Sequence, residues 1–210
     1  MSELIFSFNI LMYTMDLFGT MAFAVTGAFK AIENKLDIVG VIVLASTTGL
    51  AGGLIRDTIL DRIPPNIIAD PFYLITSVST GIIIFFIYPY IKKHWNLFLK
   101  FDAIGLGVFS IIGASLAYSI FDHNYIAMII AGMSTAIGGG VIRDLIVKEV
   151  PLVFRKELYA TASFTGISIF FIMLYFNMDF NLSIIISIII ITVFRLLSIK
   201  FNWNLPISKT

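Results

Sequence analysis

Long apolar stretches alternate along this chain with short connectors that hold most of its charge. A helix needs about 20 mostly apolar residues to cross a hydrocarbon core about 30 Å thick, because only internal pairing satisfies its backbone there. Seven stretches qualify by this reading. They are Leu4–Phe29, interrupted by Asp16; Ile38–Ile55, running on past Arg56 and Asp57; Pro71–Ile91, with Pro89 near its end; and Ala103–Phe121. Asn124–Ile142, running on into Arg143 and Asp144, Leu158–Met178 and the isoleucine-rich Phe180–Ile199, with Arg195 near its far end, complete the set. The pattern therefore predicts an all-α polytopic membrane protein. Leu4–Phe29 lacks a basic flank and is too long for a cleavable signal.

Composition agrees with the pattern. Of 210 residues, 59% are hydrophobic and 13% charged, and the mean hydropathy is +0.98. Soluble domains carry about 25% charged residues. A net charge of +1 gives no electrostatic reason for a nucleic-acid partner. With no cysteine, thiolate metal sites and cysteine nucleophiles are excluded. The two histidines, His94 and His123, fall in polar connectors, so no metal and no cofactor is expected.

Basic residues set the expected orientation. Seven spans place Lys30, Lys35, Lys92, Lys93, Lys100, Lys148, Arg155, Lys156, Arg195, Lys200 and Lys209 on the side opposite the N-terminus. Only Arg62 falls on the N-terminal side, beside the acidic Glu3, Asp61, Asp122 and Asp179. The expectation is a multi-pass cell-membrane protein with its N-terminus outside and its C-terminus cytoplasmic. Trp95, Trp203 and Tyr90 sit where interfacial anchors belong.

The chain also repeats itself. Asp16, Gly19, Phe23 and Gly27 recur as Asp102, Gly105, Phe109 and Gly113, shifted by 86. Gly52-Gly53-Leu-Ile-Arg56-Asp57 recurs as Gly139-Gly140-Val-Ile-Arg143-Asp144, shifted by 87, and Pro64 matches Pro151. Thr80-Gly81 recurs as Thr165-Gly166, shifted by 85. Each copy holds an odd number of spans, so the second is expected upside down. The expected units are residues 1–95, residues 96–178 as the inverted copy, and residues 179–210 as a seventh helix with a short tail. Inverted repeats place their substrate path at the repeat interface, often along broken helices.

Two features carry candidate chemistry. Gly49, Gly52 and Gly53 after Thr47-Thr48, and Gly138-Gly139-Gly140 after Ser134-Thr135, argue for a kink or unwound turn in spans two and five. Exposed carbonyls and hydroxyls there would be hard oxygen donors for alkali cations. Close helix packing is the alternative use of these glycines. Pro64 and Pro151 are expected to stop the two broken helices. Charges inside spans are expensive and are usually paired. Asp16 with Arg56, and Asp102 with Arg143, stand at matching depths and are expected to pair at the two ends of a path, with Asp57 and Asp144 offsetting the positive charge. Snorkelling of both arginines to headgroups is the alternative.

Two three-helix copies, each with Gly-Gly-x-x-Arg-Asp and a following proline, plus a seventh helix, resemble the prokaryotic trimeric intracellular cation (TRIC) channel family over nearly the whole chain. The resemblance implies a homotrimer with one hourglass-like pore per subunit, running between spans two and five, and K⁺ with Na⁺ as permeant ions. It implies membrane lipids and further copies of the chain as partners. Animal members reside in the sarcoplasmic or endoplasmic reticulum and carry long charged C-terminal tails; without such a tail, a bacterial or archaeal cell membrane is expected here. Chains with the same doubled domain are also regarded as glycine transporters, and an alternating-access carrier shares inverted repeats and broken helices with a channel. An enzyme is not expected, because the spans lack a nucleophile–base set or metal cluster.

Overall fold

The computed structural model describes residues 2–91, 95–155 and 158–203. Lys92, Lys93, His94, Lys156, Lys209 and the side chains of Glu3, Trp95 and Arg155 lie outside the described residues. The elements are α1 (Ser2–Glu33), α2 (Ile38–Ile59), α3 (Asn66–Ala69), α4 (Pro71–Ile91), α5 (Trp95–Phe121), α6 (Tyr125–Ile146), α7 (Leu152–Arg155), α8 (Tyr159–Tyr175) and α9 (Phe180–Phe201).

Six of these helices, all but α3, α7 and α8, are long and apolar enough to cross a membrane. The expected span Leu158–Met178 is shorter than the sequence pattern suggests: α8 has 17 residues and gives way at Phe176 to a turn through Asn177, whose φ is 55°. The one-turn helices α3 and α7 were not foreseen. Both follow the prolines of the repeat, and Pro64 and Pro151 do not stop α2 and α6. Those helices close earlier, on left-handed turns at Asp61 (φ 53°) and Lys148 (φ 59°). Beyond each turn the chain folds back, with Arg62 N–H donating to Asp57 O at 2.8 Å and Glu149 N–H to Asp144 O at 2.9 Å. Helix starts are set by short acceptors. The side chains of Asp37, Asn124 and Asp179 accept from the N–H of Gly40, Ala127 and Leu182 at 2.8, 3.0 and 2.8 Å.

Left-handed helix ends are usually glycine. Here no described glycine has a positive φ, and Asp, Lys and Asn turn the corners instead. The glycines are used where helices touch. The expected unwound turns are absent, and α2 and α6 remain helical through Gly52-Gly53 and Gly138-Gly139-Gly140. A Cβ on Gly139 would lie 2.5 Å from the Thr48 carbonyl oxygen, and one on Gly52 would overlap the carbonyl oxygen of Thr135. The pairs 48–139 and 52–135 run in opposite directions along the two helices, so α2 and α6 cross antiparallel, backbone against backbone. The same reciprocity recurs where α1 meets α5: Gly19 faces the ring of Phe109, Gly105 faces that of Phe23, and the two rings meet edge to face at 5.1 Å. α2 and α6 form the centre, with α1 and α5 beside them, α4 and α8 outside, and α9 against α5 and α8.

These contacts separate the two glycines of each motif. Adding a methyl at Gly139 or Gly52 drives it into backbone that has no room to yield, and about 1–3 kcal/mol of stability should be lost. Gly53 and Gly140 have no atom within 3.6 Å of an added Cβ; their nearest neighbours are 3.7 Å away. There, alanine should be tolerated or gain up to about 1 kcal/mol from helix propensity. Thermal unfolding of the detergent-purified variants checks the opposite signs, and equal losses at all four positions would refute the packing assignment.

Candidate functional site

Two buried charge clusters occupy the two repeat motifs. In the first, the guanidinium of Arg56 on α2 is 1% exposed, which excludes snorkelling. Its Nη1 donates to both carboxylate oxygens of Asp16 on α1, at 3.0 and 3.1 Å, and its Nε donates to Asp57 Oδ1 at 2.9 Å. Tyr73 on α4 donates its hydroxyl to Asp16 Oδ2 at 2.9 Å. Asp57 Oδ2 accepts the N–H of Asn66 at 2.8 Å, which pins the first turn of α3, and Arg62 approaches Asp57 at 3.5 Å.

The second cluster repeats this plan. Arg143 on α6 is fully buried; its Nη1 donates to Asp102 on α5 at 2.9 Å and its Nε to Asp144 Oδ1 at 2.8 Å. Asp144 Oδ2 accepts the N–H of Leu152 at 3.0 Å and pins α7. Here Thr26 Oγ1 takes a further bond from Nη1 at 2.9 Å, and the ring of Phe98 lies 4.9 Å from the guanidinium carbon. Tyr159, in the place of Tyr73, is buried and carries Arg195 of α9 across its face at 4.8 Å. Charge leaves water at a cost of several kcal/mol per ion unless partners replace the lost solvent. Each arginine meets this with two carboxylates, and each pair ties α1 to α2 or α5 to α6.

The structure thus brings together Asp16, Arg56 and Asp57, and separately Asp102, Arg143 and Asp144. The hydroxyls suggested for an ion path do not point at one another. Thr47, Thr48, Ser134 and Thr135 donate to Val43, Leu44, Ala131 and Ala131 carbonyls in their own helices at 2.7, 2.6, 3.2 and 2.5 Å. Thr48 and Thr135 are fully buried at the crossing, and Gly49 packs beside the Thr20 carbonyl. α2 and α6 are therefore in backbone contact at this crossing.

The ends differ. A cleft of about 150 Å³, room for several waters, opens onto Asp16 and Arg56 between Tyr13, Arg62 and Tyr73. At the second motif the positions equivalent to Leu116 and Arg62 are Lys30 and Glu149, which pair with each other at 2.9 Å, and a separate pocket beside Arg143, between Gly140, Leu152 and Tyr159, leaves no space for a water molecule.

Sequence reading missed several contributors. Tyr73 and Tyr159 share the 86-residue offset, so extending the repeat comparison to them would have found both. Arg195, counted among the charges of a membrane face, is instead 0% exposed, and only the docking of α9 brings it to Tyr159. Lys30 and Glu149, ion-paired at 2.9 Å, are 119 residues apart and carry no local signal.

Comparison with known proteins supplies the lineage. A family model described as "Glycine transporter" matches the chain twice, over residues 13–89 and 99–175. A UPF0126 membrane protein of Vibrio cholerae is 40% identical over 157 residues, 74% of this chain and 65% of that protein, slightly under two thirds of its length. The UPF0126 inner membrane protein YadS of Escherichia coli is 33% identical over 93% of this chain and 95% of its own. Among solved structures, a TRIC cation channel superposes with a TM-score of 0.85 at 39% identity, covering 94% of this chain and 97% of that one. The TRIC trimeric intracellular cation channel orthologue from Rhodobacter sphaeroides gives 0.87 at 30%, covering 91% and 98%. Two matches to one domain model, full-length membrane relatives and superposition on TRIC structures agree: the chain belongs to the prokaryotic TRIC family, whose doubled domain carries the glycine-transporter description.

Proposed function

We propose that this protein is a monovalent-cation channel of the cell membrane, assembled as a homotrimer among membrane lipids, with one conduction path in each subunit. The observation that carries the reading is the superposition, at 39% identity over 94% of the chain, on a TRIC cation channel. The path runs between α2 and α6, and the two halves act as inverted repeats. The reciprocal contacts 48–139 and 52–135 support both statements, because a two-fold relation is what makes residue i meet j while j′ meets i′. The N-terminus lies outside and the C-terminus inside, a reading that the lysine and arginine distribution supports.

Mechanistically, a hydrated cation enters the cleft at Asp16. The paired arginines hold the carboxylates in place without binding the cation, since like charge repels. Passage requires α2 and α6 to part at their glycines. Gly52, Gly53, Gly138, Gly139 and Gly140 carry no side chain to fill the opening, so a small separation bares the Thr48 and Thr135 carbonyl oxygens. Such carbonyls replace part of a K⁺ or Na⁺ hydration shell. Thr47 and Ser134 line the approaches. A second reading, an alternating-access carrier for glycine or a similar small amino acid, is favoured by the family description.

Planar-bilayer recording in KCl should give unitary currents far above carrier turnover, and proteoliposomes should show no saturable, counterflow-stimulated glycine uptake. Uptake without unitary current reverses the assignment. For the charge pairs, a double-mutant cycle of Asp102→Asn and Arg143→Gln should return a coupling of about 0.5–3 kcal/mol in stability, as for contacting groups. A coupling near zero removes the pair from any role in holding the ends.

A further inference from the structure

Below the cleft at Arg56, α1 and α5 meet in an antiparallel series. Asp16 and Ile112 line the cleft; Gly19 meets Phe109 one turn deeper, and Phe23 meets Gly105 one turn deeper again. The two phenylalanines hold equivalent places in the two copies, 86 residues apart, and are 0% and 1% exposed. Each ring touches two glycines of the other half. The Phe109 ring fills the notch at Gly19, where a Cβ would lie 2.6 Å from it, and stands 3.5 Å from the Cβ position of Gly52. The Phe23 ring fills the notch at Gly105, at 2.5 Å, and stands 3.4 Å from the Cβ position of Gly139. Gly52 and Gly139 are the glycines that press on the carbonyl oxygens of Thr135 and Thr48. One ring therefore stands beside each glycine–carbonyl contact of the α2–α6 crossing, and the rings meet edge to face at 5.1 Å.

We infer that Phe23 and Phe109 form the plug of the conduction path, an apolar constriction that keeps water and cations from the Thr48 and Thr135 carbonyls. A narrow apolar slot sheds its water, and a cation cannot follow where water does not. Parting α2 from α6 bares the carbonyls on one wall of the slot, but the phenyl rings still form the other. The rings must therefore turn aside as well. Both ring-in-notch contacts cross between the halves, so the separation that parts the crossing also draws each ring out of its notch. Plug and crossing are thereby coupled through four glycines, Gly19, Gly105, Gly52 and Gly139. The shielding of the carbonyls follows from packing; the passage of ions once the rings are removed rests on the channel reading.

A single cysteine at the crossing tests the plug, because the chain has none of its own. Thr135→Cys in the detergent-purified full-length protein should react slowly with a small methanethiosulfonate. Adding Phe23→Ala or Phe109→Ala should raise that rate about tenfold, the change given by about 1.4 kcal/mol in the exposure equilibrium. Phe23→Met, whose flexible apolar chain refills the space, should leave the rate near its starting value. Phe170→Ala removes an equally buried ring, packed against Phe180 in the outer layer, and should leave labelling unchanged while lowering stability. Leucine replaces alanine at any position where the alanine variant does not fold, with the same direction expected. In KCl-loaded liposomes, K⁺ efflux should rise in the Phe23 and Phe109 variants and not in Phe170→Ala. Fast labelling of Thr135→Cys with both rings in place overturns the inference, as does unchanged labelling in both ring variants or an equal rise with Phe170→Ala. Labelling that speeds up in the ring variants alone, without added K⁺ efflux, leaves the plug in place and overturns the channel reading instead.

Discussion

An arginine placed inside an apolar bundle has to bring its own counter-charge. Arg56 and Arg143 are 1% and 0% exposed, and each is closed by a carboxylate from the neighbouring helix and another from the next residue in its own. Without these carboxylates each arginine would be a desolvated, uncompensated cation. That constraint fixes the depth of α1 against α2 and of α5 against α6. It also reaches outward. Because the second oxygens of Asp57 and Asp144 bond the N–H groups that begin α3 and α7, the loops at both ends are tied to the same ions.

The glycines work against the charge pairs in a useful sense. The pairs hold each half together, while the α2–α6 crossing that joins the halves relies on bare backbone contact. Such a crossing has little side-chain interdigitation to break. At the Arg143 end, the bond from Arg143 to Thr26 and the Lys30–Glu149 pair also cross between the halves.

Symmetry makes the departures from it informative. Thr26 adds a bond to Arg143 where Ile112 lines the cleft at Arg56, Arg195 covers Tyr159 where nothing described covers Tyr73 in the same way, and Lys30 meets Glu149 where Leu116 and Arg62 line that cleft. All three act at the same end. The seventh helix contributes one of them, which gives α9 a part in the asymmetry beyond its packing on α5 and α8.

By itself the sequence determined the class, the positions of most spans and the doubled plan. Apolar runs of bilayer length and short charged connectors have one solution in lipid, and a duplicated motif survives translation into structure. It also singled out the charged residues that meet, because Asp16 and Arg56 had no inexpensive place inside a span except beside each other. What the glycines do was decided in three dimensions. A Gly-Gly pair reads equally as a break or as a flat contact surface, and only the partner helix at Thr48 or Thr135 selects the second. The short α8, the burial of Arg195 and the union of Lys30 with Glu149 were likewise set by packing. Each depends on which distant helix fills the neighbouring space, and local residue order carries no record of that.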